Sequence, residues 1–357
     1  MTDFVHETYA GRVVFGAGTL LEAALELEAV GVERVLLIGG GSAKGFADDL
    51  AERLGDRVAA RVTEVAAHVP FDDVIRVRSL AASAGIDAVL AVGGGSAIGL
   101  GKAVVLEHPG VSVAVPTTYS GSEMTPIYGI TDGGVKRTGR HPAVRPRVAV
   151  YDPELTLGLP PEITAGSAMN AMAHCVEALY AENRNPITSM MAGAGVGAVH
   201  RGLLGTVADP GDLAARTELM FGAHLGGAAL GSVGMAIHHR ICHVLGGTFG
   251  VGHGNANAVI LPHVVSANAS AEQEAIAMVA AALGTDDAAG ALFDLATTAG
   301  APTDLARLGV GRQELDRATA LVVEHTPYNP RPVEPGWVRE LLEDAFEGTR
   351  PSTRGRR

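Results

Sequence analysis

Uninterrupted apolar runs recur through the first 150 residues, each followed by a segment of helical spacing. Arg34-Val35-Leu36-Leu37-Ile38, Ala88-Val89-Leu90-Ala91-Val92, Val111 to Pro116 and Val148 to Tyr151 have the length and β-branched content of buried strands. Arg61 to Val65 is a further strand candidate, and residues 46–54 and 72–84 carry helical periodicity. Strands without polar alternation, separated by helices, predict a parallel sheet covered on both faces. After Asp152-Pro153 the strand signals stop. From Pro161 to about Glu347 the chain is rich in Ala, Leu, Met and Glu, and its helices are punctuated by turns such as Asn183 to Pro186 and Asp209 to Asp212. The pattern predicts a Rossmann-like α/β domain over residues 1–155, an all-α domain over 156–350, and a frayed polar tail over 351–357.

Composition narrows the class. A chain of 357 residues with 47% hydrophobic and 18% charged residues buries substantial cores. Its net charge of −12 argues against a nucleic-acid partner, which calls for a basic face. The N-terminal segment has no apolar core of a signal peptide, and two cysteines in no paired spacing suit a reducing, cytoplasmic setting. The charge-free run from Met220 to Ile237 holds five glycines and His224, and reads as a packed helix rather than a membrane span. Glycine is in excess, 47 residues, or about 13% against roughly 7% on average. That points to places where backbone must approach something closely.

Two such places lie at strand ends. Gly39-Gly40-Gly41-Ser42 ends the first strong strand, and Gly93-Gly94-Gly95-Ser96 begins a segment running to Lys102 between a strand and a helix. Glycines there let the backbone reach a pyrophosphate, and the helix N-terminus offers free N–H donors. The spacing matches neither G-x-G-x-x-G nor a Walker A loop, since Ala103 follows Lys102 where Ser or Thr is needed. The next strand runs into Pro116-Thr117-Thr118-Tyr119-Ser120-Gly121-Ser122, a set of hydroxyls at the sheet edge where ligands of open α/β folds bind. Eight of the thirteen histidines fall within residues 174–263. Asn170 and His174 are i, i+4 neighbours, as are His239 and His243, and His253 follows in a Gly-His-Gly turn. Two helix faces and a loop converging in this way suit a metal site or a proton-transfer site. His200 and His224 fall outside the paired spacing and read as structural.

These segments, with Val150 to Thr156, Asn170-Ala-Met-Ala-His174, His238 to Phe249 and Thr326 to Pro332, resemble the iron-type alcohol dehydrogenase and dehydroquinate synthase-like superfamily, and within it the maleylacetate reductase family. The resemblance spans nearly the whole chain in order. It implies a dehydroquinate synthase-like fold, an active site between the domains, and NADH or NADPH held by Gly39, Gly40, Gly94, Gly95, Ser96, Lys102, Thr117, Thr118 and Ser122. Metal-dependent members resemble one another in an Asp-plus-three-His set, whose positions here are Asn170, His174, His239 and His253. The amide removes a negative charge, Gly99 replaces an Asp of the metal-dependent loop, and Pro-Thr-Thr-Tyr replaces a longer hydroxyl loop. All three departures imply catalysis without a metal.

The chemistry implied is reduction of the carbon–carbon double bond of maleylacetate to 3-oxoadipate. Such a reaction needs a donor at the developing enolate and a proton source for the α-carbon. His243 is the expected general acid, with His174, His239 and His253 around the substrate and Tyr119 as a further O–H. A dicarboxylate keto acid also needs cations. The basic stretch from Lys136 to Arg147 supplies candidates in Lys136 and Arg140, with Asn170 as a further substrate contact; a solvated surface loop is the competing reading. The alternatives are a metal-dependent alcohol dehydrogenase using Asn170, His174, His239 and His253 as ligands, and a reductase of a related unsaturated keto acid in a biosynthetic pathway. The expected partners are a small substrate and a second copy in a homodimer, with neither nucleic acid nor membrane.

Overall fold

The computed structural model describes residues 4–6, 11–108, 110–133, 135–325 and 328–353, and of Val135 and Lys136 the backbone alone. The chain divides into two compact units, residues 7–159, and residues 160–357 together with the first six.

The first unit runs β1 (Arg12–Phe15), α1 (Glu22–Ala29), β2 (Val35–Ile38), α2 (Lys44–Leu54), β3 (Val58–Val62), α3 (Phe71–Ala84), β4 (Ala88–Gly93), α4 (Gly95–Val105), β5 (Val111–Pro116), β6 (Ile127–Asp132), β7 (Val135–Arg140) and β8 (Val148–Tyr151). Six strands form a parallel sheet in the order β1-β8-β5-β4-β2-β3. Period-2 geometry splits each apolar run between two cores. Leu37, Leu90, Val92, Val113 and Val115 pack with residues of α1 and α2. Leu36, Ile38, Val89 and Ala91 pack with residues of α3 and α4. Burial on both faces explains why these strands read as unbroken hydrophobic runs.

The differences from expectation fall at the edges of this sheet. β1 and β3 are its outer strands, and β3 spans Val58–Val62 rather than Arg61 to Val65. With one long side unpaired, an edge strand carries a weaker pattern. β1 and α1 have no counterpart in the sequence reading. The basic stretch is not a plain loop: β7 pairs antiparallel with β6, and His141 caps a short helical turn over Pro142–Val144.

The second unit is helical: α5 (Pro161–Leu179), α6 (Pro186–Ala208), α7 (Leu213–Ser232), α8 (Ile237–Phe249), α9 (His253–Asn268), α10 (Gln273–Leu283), α11 (Ala288–Thr298), α12 (Leu315–Glu324) and α13 (Pro335–Glu347). α5 is buried almost throughout from Thr164 onward. Small residues let its neighbours approach closely. A Cβ on Gly226 of α7 would stand 2.8 Å from the Ala171 carbonyl oxygen, and one on Gly254 of α9 would stand 2.9 Å from the Gly166 backbone. The run from Met220 to Ile237 is broken between α7 and α8, which are bent by 99°, and no single helix among the described residues is long and apolar enough to cross a membrane. At the C-terminus, the expected frayed tail is anchored at its start, where the Ser352 carbonyl accepts a hydrogen bond from Ser266 and the Thr353 N–H donates to Asp287; residues 354–357 lie outside the described residues.

Candidate functional site

In the first unit, the chain leaves β2 toward β3 on one side and leaves β4 toward β5 on the other. That reversal is the switch point at which open α/β sheets take their ligands. Both glycine turns lie at its two strand ends. Gly93 has φ 143°, a conformation open to glycine, and a Cβ there would meet that of Ala97 at 2.9 Å. A Cβ on Gly40 would fall 1.9 Å from the Thr63 carbonyl oxygen, and one on Gly39 would fall 2.6 Å from Ala47. The Thr117 N–H donates to the Gly93 carbonyl at 3.0 Å, and Gly94 and Gly95 face Thr118 and Ser120. The glycine turn and the hydroxyl loop therefore share one edge. The first N–H groups of α4, at Gly95, Ser96 and Ala97, have no acceptor within their own helix. Such a cradle fits a pyrophosphate.

Lys102 does not face this cradle. Its side chain is buried, and its ammonium donates to the Ser122, Thr125 and Ile127 carbonyls and to Thr125 Oγ1. An ammonium has three N–H groups, so none remains for a phosphate. Lys102 instead clamps the hydroxyl loop from beneath, and burial, opposed by Glu123 and helped by Arg145, draws its pKa down to about 7. Beside it, buried Glu123 accepts the Tyr151 hydroxyl at 2.7 Å. Tyr119 is wholly buried in this unit, and Ser122 contributes its carbonyl to the Lys102 clamp. Ser96 Oγ accepts the His68 N–H at 3.4 Å. Arg140 is exposed on β7, while the side chain of Lys136 lies outside the described ones.

In the helical unit, the structure gathers the paired histidines. α8 ends at Gly250 in the left-handed conformation (φ 71°), and after Gly252 the chain re-enters α9 at His253. This reversal brings the His253 ring back to stack on that of His243, 5.9 Å between centroids. His239 lies 6.3 Å from His243, 6.4 Å from His253 and 5.1 Å from His174 of α5. His238 meets His239 edge-on at 5.1 Å. The series is graded by depth: His174, His238 and His239 are buried, His253 is half-buried and His243 is exposed. Asn170 is buried one turn before His174 on α5.

A buried carboxylate completes the cluster. Glu177 Oε2 lies 2.5 Å from His239 Nδ1, and Glu177 Oε1 accepts the backbone N–H of His238 at 2.8 Å. Burial pushes this carboxyl up, but His239, His238 and the Ala236 backbone outweigh it and hold the group below the usual carboxylate range. An ionised carboxylate only accepts, so His239 Nδ1 carries the proton between them. His174 and His238 are held neutral. Burial, aided by the neighbouring imidazoles, lowers His174 well below its ordinary value. Burial and His239, opposed by Glu177, bring His238 to about 3. Sequence reasoning missed Glu177, although it is the one charge between Ile163 and Ala181 and stands three residues after His174.

Whether these donors fit a metal ion turns on charge and spacing. Three imidazoles can hold zinc, but the position that would add a negative charge is Asn170, a neutral amide. Glu177, His238 and His239 do bring three ligand atoms within 4.8 Å. Yet two ligands of one tetrahedral ion at about 2.05 Å stand roughly 3.3 Å apart, whereas Glu177 and His239 are at hydrogen-bond distance, 2.5 Å. Glu177 therefore serves His239 Nδ1 rather than sharing an ion with it, and the amide at residue 170 leaves the imidazoles without the negative ligand a divalent ion favours.

Comparison with known proteins follows the same lines. Residues 10–153 match the iron-containing alcohol dehydrogenase family and residues 164–346 match the C-terminal part of the Fe-containing alcohol dehydrogenase family. The chain is 44% identical over 352 residues to a maleylacetate reductase of Burkholderia cepacia, covering 99% of this chain and all of that one. The crystal structure of maleylacetate reductase from Agrobacterium tumefaciens superposes with a TM-score of 0.95 at 44% identity, covering 98% of this chain and 100% of the other. That from Rhizobium sp. gives 0.94 at 44% identity and the same coverage. The chain belongs to the iron-containing alcohol dehydrogenase family of oxidoreductases, and within it is similar over its whole length to the maleylacetate reductases.

Proposed function

We propose that this protein reduces the carbon–carbon double bond of maleylacetate to 3-oxoadipate with NADH or NADPH, and that it does so without a metal ion. The observation that carries the reading is the graded imidazole cluster with an amide rather than a carboxylate at residue 170. Similarity to maleylacetate reductases along the whole chain supplies the substrate.

The reaction adds a hydride to the alkene carbon β to the ketone and a proton to the α-carbon, so the ketone oxygen carries charge between the two events. A bound nicotinamide supplies the hydride. The glycine turns at Gly39–Gly40 and Gly93–Gly95, with Thr117, Thr118 and Ser96, would hold that cofactor. β2 ends without an acidic side chain to reject a 2′-phosphate, which favours use of both cofactors. In the helical unit, exposed His243 is the proton donor best placed to exchange with solvent, and His253 stacks against it. His174, kept neutral by burial, donates or accepts a hydrogen bond without adding charge. Arg140, with Lys136, remains the candidate for the substrate carboxylates.

The test follows nicotinamide absorbance with freshly prepared maleylacetate and identifies the product. One equivalent of 3-oxoadipate per NADH or NADPH consumed is expected. Cofactor binding without turnover of maleylacetate would refute the substrate assignment.

A further inference from the structure

Glu177 is wholly buried in α5, where an unsatisfied carboxylate would be costly. Both of its oxygens are taken by one turn of α8. The His238 N–H that reaches Oε1 belongs to the first turn of that helix, where backbone donors lack partners of their own. The carboxylate therefore caps α8 from outside, at the end where the helix dipole is positive. The same group accepts the hydrogen bond of His239 Nδ1–H through Oε2. With Nδ1 so committed, whatever proton or lone pair His239 offers its surroundings is offered from Nε2. That atom is buried and has no hydrogen-bond partner among the described residues.

We propose that Glu177 is a positioning residue for the reduction: it fixes the tautomer and ring orientation of His239, so that Nε2 is the nitrogen turned to chemistry. The catalytic part of this proposal rests on the reading under Proposed function; the tautomer part does not. A simple helix cap would predict something different. Glu177→Gln keeps the shape and one oxygen for the His238 N–H, but it sets an NH2 group against His239 Nδ1. The imidazole must then accept at Nδ1 and carry its proton on Nε2.

The experiment compares wild type, Glu177→Gln and Glu177→Asp by 15N NMR of histidine-labelled protein, assigning His239 by difference from His239→Gln. Steady-state kinetics and cofactor affinity are measured on the same samples. Wild type is expected to show a protonated Nδ1 at His239 and Glu177→Gln the reverse. The glutamine variant should lose kcat by about 10- to 100-fold with KM and cofactor affinity unchanged, and Glu177→Asp, which keeps the carboxylate, should recover part of it. An unprotonated Nδ1 in wild type, or wild-type kcat in folded Glu177→Gln, would overturn the proposal. Should Glu177→Gln fail to fold, the wild-type spectrum alone decides. Wild-type protein inert toward maleylacetate would refute the substrate reading, while the tautomer measurement would still decide the role of Glu177.

Discussion

Burial disfavours the charged form of an imidazole, and it lowers the pKa values of His174 and His238. Both have folded-state pKa values below those of the unfolded chain. As pH falls through about 6.5, the unfolded state takes up protons that the folded state refuses. Stability is therefore full above that value and declines toward about 3, the folded-state value of His238. The limiting slope is about 1.4 kcal/mol per pH unit for each such histidine. Glu177, also lowered, adds loss of the same sign at the acid end of the window. Denaturant unfolding between neutral pH and pH 4 should show this decline, reduced in His238→Gln if the variant packs as wild type does. A flat profile would contradict the buried, neutral assignment. The spacing of Asn170, His174, His239 and His243 was legible as two i, i+4 pairs. Glu177 was not, because a carboxylate sixty-two residues before His239 acquires its meaning only when α5 lies against α8.

Among the elements, α5 and α9 hold the cluster at one width because two glycines touch. Gly254→Ala should destabilise by about 1–3 kcal/mol, since its Cβ would stand 2.9 Å from the Gly166 backbone, with nothing flexible to yield. By displacing the first turn of α9 it should also disturb His253. Gly247→Ala is the contrast: nothing lies within 4 Å of its Cβ in α8, and a gain of about 0.5–1 kcal/mol is expected. Paired thermal melts check both signs; equal effects would deny that the glycine contact sets the spacing. The central strands announced themselves because double burial leaves no polar alternation. β6 and β7 did not, since the signal there was charge, and pairing between Ile127 and Arg140 owes nothing to apolar periodicity. Lys102 was misread for a related reason. A lysine in a glycine-rich loop looks like a phosphate ligand, and its burial beneath the Ser122–Ile127 segment is visible only in three dimensions.

At the scale of the whole molecule, one unit supplies a parallel sheet with two glycine turns at its switch point, and the other a histidine cluster with the buried carboxylate of Glu177. Members of this family carry iron in their name, and the resemblance implies a carboxylate ligand where this chain has the neutral amide of Asn170. An amide at that position predicts reduction without a metal. The most direct test is turnover of NADH or NADPH with maleylacetate before and after exhaustive chelation, with metal content determined on the same sample. Undiminished turnover in protein free of zinc and iron is the predicted result. Activity that disappears on chelation and returns on adding either metal would contradict it.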